Sequence, residues 1–298
     1  MLSEQQLNQF NDKGYVVIEN AVTREVVDRI NSEIDRWVNE SRDHQSNYGS
    51  LIDGQPRFDV ESGHCRNAPK LRRITSPQEV SADIKNIVLQ GAMPHLLTPI
   101  LGQNIKFDHC KINAKNPGMK AEVKYHQDHI FEPQSNDSVV VALLMLNDTD
   151  EENGCLKVVP GSHKQRYSHA RDGKFTGTID ESYTRYFDLA AERIEAKAGS
   201  LCIMDTWAVH GSDQNTSMKP RRLLITEYKS ADAFPLTQHK LPSRQMDSVI
   251  IGKDAVEPRF RDHQEFELPD YYTGDSLFQL QETSADDSVT ILPGGAWG

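Results

Sequence analysis

The chain has no C-x-x-C pair. Its four cysteines, Cys65, Cys110, Cys155 and Cys202, stand far apart, which excludes a zinc ribbon and a thioredoxin-type motif. Cys110, Cys155 and Cys202 fall in apolar, strand-like runs, so buried free thiols in a reducing compartment are expected. No run of 18 apolar residues exists, so no membrane span is expected. The opening MLSEQQLNQF lacks the charged-then-apolar pattern of a signal peptide. The closing GGAWG lacks an S-K-L address, and a cytoplasmic location is expected. Positive charge is in deficit: 33 Lys and Arg face 44 Asp and Glu, a net −11. That argues against a nucleic-acid partner, which needs clustered Lys and Arg. It leaves room for a small anionic ligand in a local basic pocket. There is no H-E-x-x-H motif, no internal repeat and no low-complexity run, and one domain spanning 1–298 is expected.

What is there begins with helices. Ser3 with Gln6 forms a capping box for a helix over 3–13, stopped by Gly14. GYVVIENAV follows as a strand. Thr23 caps a longer helix to about Glu40, with Val26, Val27, Ile30, Ile34, Trp37 and Val38 at helical spacing. Residues 41–68 are polar and rich in Asn, Ser, Asp and Gly; a loop is expected, with Arg57 and His64 facing solvent. Residues 76–101 are expected as helix in two pieces, with Pro94 where a new one starts.

From Asn104 the pattern changes to short strands between turn signals such as Asn153-Gly154 and Pro160-Gly161. IKFDHCKINAK, EVKYHQDHIF, SVVVALLMLND, CLKVVPGS, RIEAKAGSLCIMD and RRLLITEYKS are the expected strands, so the fold class is mainly β, a sandwich or barrel, with flanking helices. The continuous run VVVALLML indicates a strand buried on both faces. Residues 162–192 interrupt the rhythm. Their Tyr167, Tyr183, Tyr186 and Phe187 form a substrate lid or, as the plainer alternative, pack on the barrel rim. Residues 231–298 are expected to wrap the barrel or its mouth.

The chemistry concentrates at Tyr125-His126-Gln127-Asp128. In an extended strand, His126 and Asp128 point to one face and supply two thirds of a 2-His-1-carboxylate metal site. His210 is the candidate third ligand. The plain alternative is a surface His beside a surface Asp. His263 and Glu265 repeat the spacing, but no histidine follows them. Arg221 begins the apolar run LLITEY and suits a ligand carboxylate, which its planar fork binds through two hydrogen bonds. An ordinary surface pair, Arg221 with Arg222, is the alternative.

HQD, NGCLKVVPGSHK and HGSDQNTS followed by PRR, in this order, resemble the phytanoyl-CoA dioxygenase family, Fe(II)- and 2-oxoglutarate-dependent oxygenases. LSEQQLNQFNDKGYVVIENAV is similar to that family's N-terminus, and the resemblance runs from about Leu2 to about Tyr228. It implies a double-stranded β-helix (a cupin-like jelly roll), with the helices of residues 1–103 packed on one sheet of the core 104–230. It implies that His126, Asp128 and His210 hold iron and so carry catalysis. Arg221 then binds the far carboxylate of 2-oxoglutarate, Ser212 assists, and Arg73 in KLRRIT is a basic contact. The implied reaction turns 2-oxoglutarate and O2 into succinate and CO2 while a small organic metabolite is oxidised, most simply hydroxylated. A zinc-dependent hydrolase and a metal-free small-molecule binding protein on the same barrel are the competing readings.

Overall fold

Ser3 opens the first helix as its sequence predicts. Its Oγ accepts the Gln6 N–H at 3.2 Å, and the Gln6 side chain accepts the Ser3 N–H at 2.9 Å. The computed structural model describes residues 2–261 and residue 281. Helix α1 (Glu4–Lys13) ends at Gly14 in the left-handed region, and β1 (Tyr15–Ile18) follows. Helix α2 (Arg24–Ser41) buries Val27, Ile30, Ile34 and Trp37. Thr23 stands at its N-cap but makes no side-chain cap bond.

The polar stretch 41–68 departs from the expected loop. It holds β2 (Tyr48–Ser50) and β3 (Pro56–Val60), and β4 (Leu71–Thr75) comes next. The three lengthen one sheet beyond β5 (Ile105–Lys115). Arg57 is not solvent-facing: it is buried, with Glu79 at 2.6 Å and the Thr75 and Ser76 carbonyls as acceptors. His64 is half-buried, its Nδ1 accepting the Lys70 N–H. The expected helical pair at 76–101 is three short helices, α3 (Ala82–Leu89), α4 (Ala92–Leu96) and α5 (Thr98–Leu101), with Pro94 in the first turn of α4.

The remaining strands are β6 (Val123–His126), β7 (Val139–Met145) and β8 (Leu156–Val158). A small hairpin follows, β9 (Ala170–Arg171) with β10 (Lys174–Phe175), then α6 (Thr184–Ala190). Next come β11 (Glu192–Ile194), β12 (Leu201–Asp205), β13 (His210–Ser212), β14 (Arg221–Ser230) and β15 (Val249–Ile251). RIEAKAGSLCIMD is therefore two strands, broken at a turn through Gly199, whose φ is +91°.

Two antiparallel sheets face each other. One runs β1-β12-β7-β14-β5-β4-β3-β2, with β15 also on β5; the other runs β11-β8-β13-β6. This is a double-stranded β-helix. All seven residues of β7 are buried, as the unbroken apolar run requires. Alternate residues serve different cores. Val140, Ala142 and Leu144 pack outward with Ile30 and Ile34 of α2 and Ile84 of α3. Val141, Leu143 and Met145 pack inward between the sheets with Leu223 and Ile225 of β14. In the C-terminal region, β15 extends the larger sheet; His263 and Glu265 lie outside the described residues.

Candidate metal centre and co-substrate pocket

His126 is the last residue of β6 and lies directly opposite His210, the first of β13. Their rings are 4.2 Å apart. Asp128 is not on the strand; it opens a single 3-10 turn. Gln127 between them is still extended, so the two side chains reach the same side. Gln127 is held by its surroundings: its N–H donates to His169 Nε2 and its amide to the Trp207 carbonyl. The Asp128 carboxylate stands 3.4 Å from His126 Nε2 and 3.5 Å from His210 Nε2.

The outer ring nitrogens decide what the inner ones can do. His126 Nδ1–H donates to the Lys124 carbonyl at 2.8 Å, and His210 Nδ1–H to the Ala208 carbonyl at 3.0 Å. Both Nε2 lone pairs are therefore free and converge beside one carboxylate, the arrangement that second-sphere hydrogen bonds give to metal-binding histidines. Burial, then His126, lowers the His210 pKa to about 4. Burial would raise Asp128, but His210 and His126 hold it well below the usual carboxylate range. The set is two imidazoles with their Nε2 atoms turned inward and one carboxylate, a donor set that fits a divalent first-row metal.

The three side chains open on a cavity shared with Lys111 and Asn113 of β5, Ser212 of β13, and Arg221, Leu223 and Ile225 of β14. Arg221 is 3% exposed. Its guanidinium has no hydrogen-bond or ion-pair partner among the described residues, and its Nε is an orphaned buried atom. Burial lowers its pKa to about 10, so it stays charged at neutral pH. An uncompensated buried cation is costly unless an anion meets it; a carboxylate entering the cavity does so. Ser212 is fixed by Lys115 Nζ, which donates to its Oγ at 2.7 Å.

Arg73 lies opposite Asn113 in the β4–β5 ladder, with its Nε 3.7 Å from Asp59; it is not among the residues that line the cavity. Lys111, Asn113 and Lys115 are functional candidates that motif reading missed. Their common signal is alternation along IKFDHCKINAK, which puts all three on one face. In the insert, Phe187 is buried against Tyr125, 5.2 Å between rings, and Tyr167 and Tyr183 pack on Phe187. Tyr125 points away from His126's side, so these aromatics cover the outside of the smaller sheet and do not cap the cavity.

The family model described as "Phytanoyl-CoA dioxygenase (PhyH)" matches residues 10–223. A relative from Stutzerimonas stutzeri, named probable alpha-ketoglutarate-dependent hypophosphite dioxygenase, is 30% identical over 87% of this chain and 89% of its own length. Peroxisomal phytanoyl-CoA dioxygenase of Homo sapiens is 23% identical over 85% and 75%. Among solved structures, EctD from S. alaskensis with bound Fe superposes with a TM-score of 0.68 at 17% identity, covering 85% of this chain and 88% of that one.

Proposed function

The chain belongs to the phytanoyl-CoA dioxygenase family, and from that premise we propose that it is a non-haem Fe(II)- and 2-oxoglutarate-dependent dioxygenase. The observation that carries this reading is one cavity holding both the converging Nε2, Nε2 and carboxylate set and the unpaired Arg221. His126, Asp128 and His210 would hold the iron. Arg221 would pair with the C5 carboxylate of 2-oxoglutarate. When bound, iron and 2-oxoglutarate supply the oxidation: the co-substrate becomes succinate and CO2 as O2 is consumed.

The chain's own residues do the rest. The Lys124 and Ala208 carbonyls fix both histidine tautomers. Lys115 donates to Ser212 Oγ, which leaves the Ser212 hydroxyl proton to meet the co-substrate carboxylate. Leu143, Leu156, Leu223 and Ile225 line the same space and keep water out, so the Arg221 pair forms in a dry site. Arg73, opposite Asn113 in the ladder, is assigned the role of a basic co-substrate contact.

The substrate is a small molecule, and we assign an organic metabolite whose C–H bond is hydroxylated. Relatives named for hypophosphite, ectoine and phytanoyl-CoA take different substrates within one family, so the family alone does not choose. No helix among the described residues is long and apolar enough to cross a membrane; a cytoplasmic, single-domain enzyme over 1–298 is part of this proposal. The test is succinate release from 2-oxoglutarate with added Fe(II) and metabolites co-purified anaerobically, identified by mass spectrometry. His126→Ala, Asp128→Ala and His210→Ala should each abolish release with circular dichroism unchanged. A zinc hydrolase or a binding protein would release no succinate in wild type.

A further inference from the structure

A second cluster lies at the other end of β14 from Arg221. Leu223 and Ile225 face the barrel interior, and the β14–β7 ladder runs without a shift through Glu227. Glu227 therefore faces inward too. It is 5% exposed and has no hydrogen-bond or ion-pair partner among the described residues.

The strand beside it is bulged there. Thr226 pairs with Cys110 and Tyr228 with Phe107, so Asp108 and His109 together stand opposite Glu227. Phe107 and Cys110 both pack in the outer core, a three-residue spacing that regular alternation forbids. The extra residue turns two polar side chains to one place, a known use of bulges beside functional sites. Glu132 joins them from the segment after Asp128.

His109 Nδ1 stands 3.2 Å from Glu132 Oε2 and 3.6 Å from Asp108 Oδ1. These contacts lack hydrogen-bond geometry: His109 Nδ1 and Glu132 Oε2 are both orphaned buried atoms. Their spacing instead matches ligands around one ion. Bonds of about 2.0–2.2 Å to a four-coordinate metal set neighbouring ligand atoms roughly 3.2–3.6 Å apart.

His239 closes the group, and the four side chains bring one donor atom each within 4.8 Å of one another. Its tautomer differs from those of His126 and His210. The Leu241 N–H donates to His239 Nδ1 at 3.0 Å, so the proton is on Nε2, beside Asp108. His239 thus orients Asp108 and is not itself a ligand. Lys229 sits 2.7 Å from the other Asp108 oxygen.

We propose that Asp108, His109 and Glu132 form a second divalent-cation site at the end of the barrel opposite Arg221, with Glu227 beside it as a further carboxylate. Two carboxylates and one imidazole suit zinc or manganese.

The test counts zinc bound by the full chain. Chelator-stripped protein is equilibrated with zinc, gel-filtered and measured by inductively coupled plasma mass spectrometry. Wild type should hold two ions, His109→Ala one, His126→Ala one, and the double variant none. If His109→Ala fails to fold by circular dichroism, Glu132→Gln replaces it and should also hold one. A wild type with one ion that His126→Ala loses overturns the site, as does His109→Ala or Glu132→Gln retaining two. Loss of an ion in His109→Ala but not in His126→Ala upholds this site and removes the His126 assignment instead.

Discussion

Arg221 and Arg222 are neighbours in the chain and lie on opposite faces of the larger sheet. Arg221 lines the cavity beside His126, Asp128 and His210. Arg222 reaches outward to α2, with Asp35 at 2.6 Å and Asn31 as a further acceptor. Alternation along β14 selects one arginine for the site and gives the other to the helical layer. The outward one is no surface arginine, since it is 6% exposed.

Arg221→Ala should therefore weaken 2-oxoglutarate binding and leave iron in place. Removing one partner of a buried ion pair costs about 3–5 kcal/mol, roughly a 10²- to 10⁴-fold loss of affinity. Arg222→Ala should leave 2-oxoglutarate affinity alone but cost about 1–2 kcal/mol of stability, between an exposed and a buried pair. Anaerobic titration of 2-oxoglutarate into the Fe(II) protein, with a thermal melt of each variant, measures both. A large affinity loss in Arg222→Ala alone would put the strand register out by one.

Asp205, at the end of β12, is a half-buried carboxylate with a pH signature of its own. Burial raises its pKa to about 6, although the Trp207 N–H and Arg166 pull it down. The unfolded value is near 3.9. The folded chain thus holds the proton longer, and stability falls as pH rises from about 4 to 6. Asp205→Asn keeps an oxygen for the Trp207 N–H, 2.8 Å away, and removes the charge. It should stabilise the protein by about 1–3 kcal/mol at pH 8 and change little at pH 4. Urea melts at the two pH values would show equal shifts if the reading is wrong.

Gly154 shows how tightly the turn signal Asn153-Gly154 is used. Its φ is +74°, and a Cβ there would lie 2.4 Å from the Asp213 carbonyl. Gly154→Ala combines left-handed strain of about 1–2 kcal/mol with a backbone clash, so a loss of roughly 2–4 kcal/mol is expected. A melting temperature within a degree of wild type would contradict it.

Phe187 joins the insert to the barrel. It is 1% exposed between Tyr125, Tyr167 and Tyr183. Phe187→Ala should cost about 3–5 kcal/mol. Limited proteolysis within 162–192 should speed up in this variant, and to the same degree with or without Fe(II) and 2-oxoglutarate. Protection by those ligands would restore the lid reading.

How far the sequence was readable follows from the range of each cause. The capping box and the shared side of His126 and Asp128 are set within a few residues and were legible, whereas the choice of Arg221 over Arg222 came from the family resemblance. The β2–β4 extension was not, because its polar strands gain their order from pairing with β5, a neighbour distant in sequence. Arg57 was misplaced for the same reason: Glu79 and the carbonyls that hold it come from outside its own stretch. The bulge at Asp108 and His109 is a mismatch between two strands, and one strand's pattern cannot display it.

The cross-strand pairing of His126 with His210 carries one more consequence. Side chains on a strand change face with every residue, so a slip of one position in β6 or β13 would send one imidazole outside the barrel. The strands are only four and three residues long, and short ladders resist slippage weakly. An ion held by both rings is then a clasp across the sheet as well as a reagent. Metal uptake would report the alignment of two strands, and a chain that folds in the wrong alignment would be recognised by its inability to keep the metal.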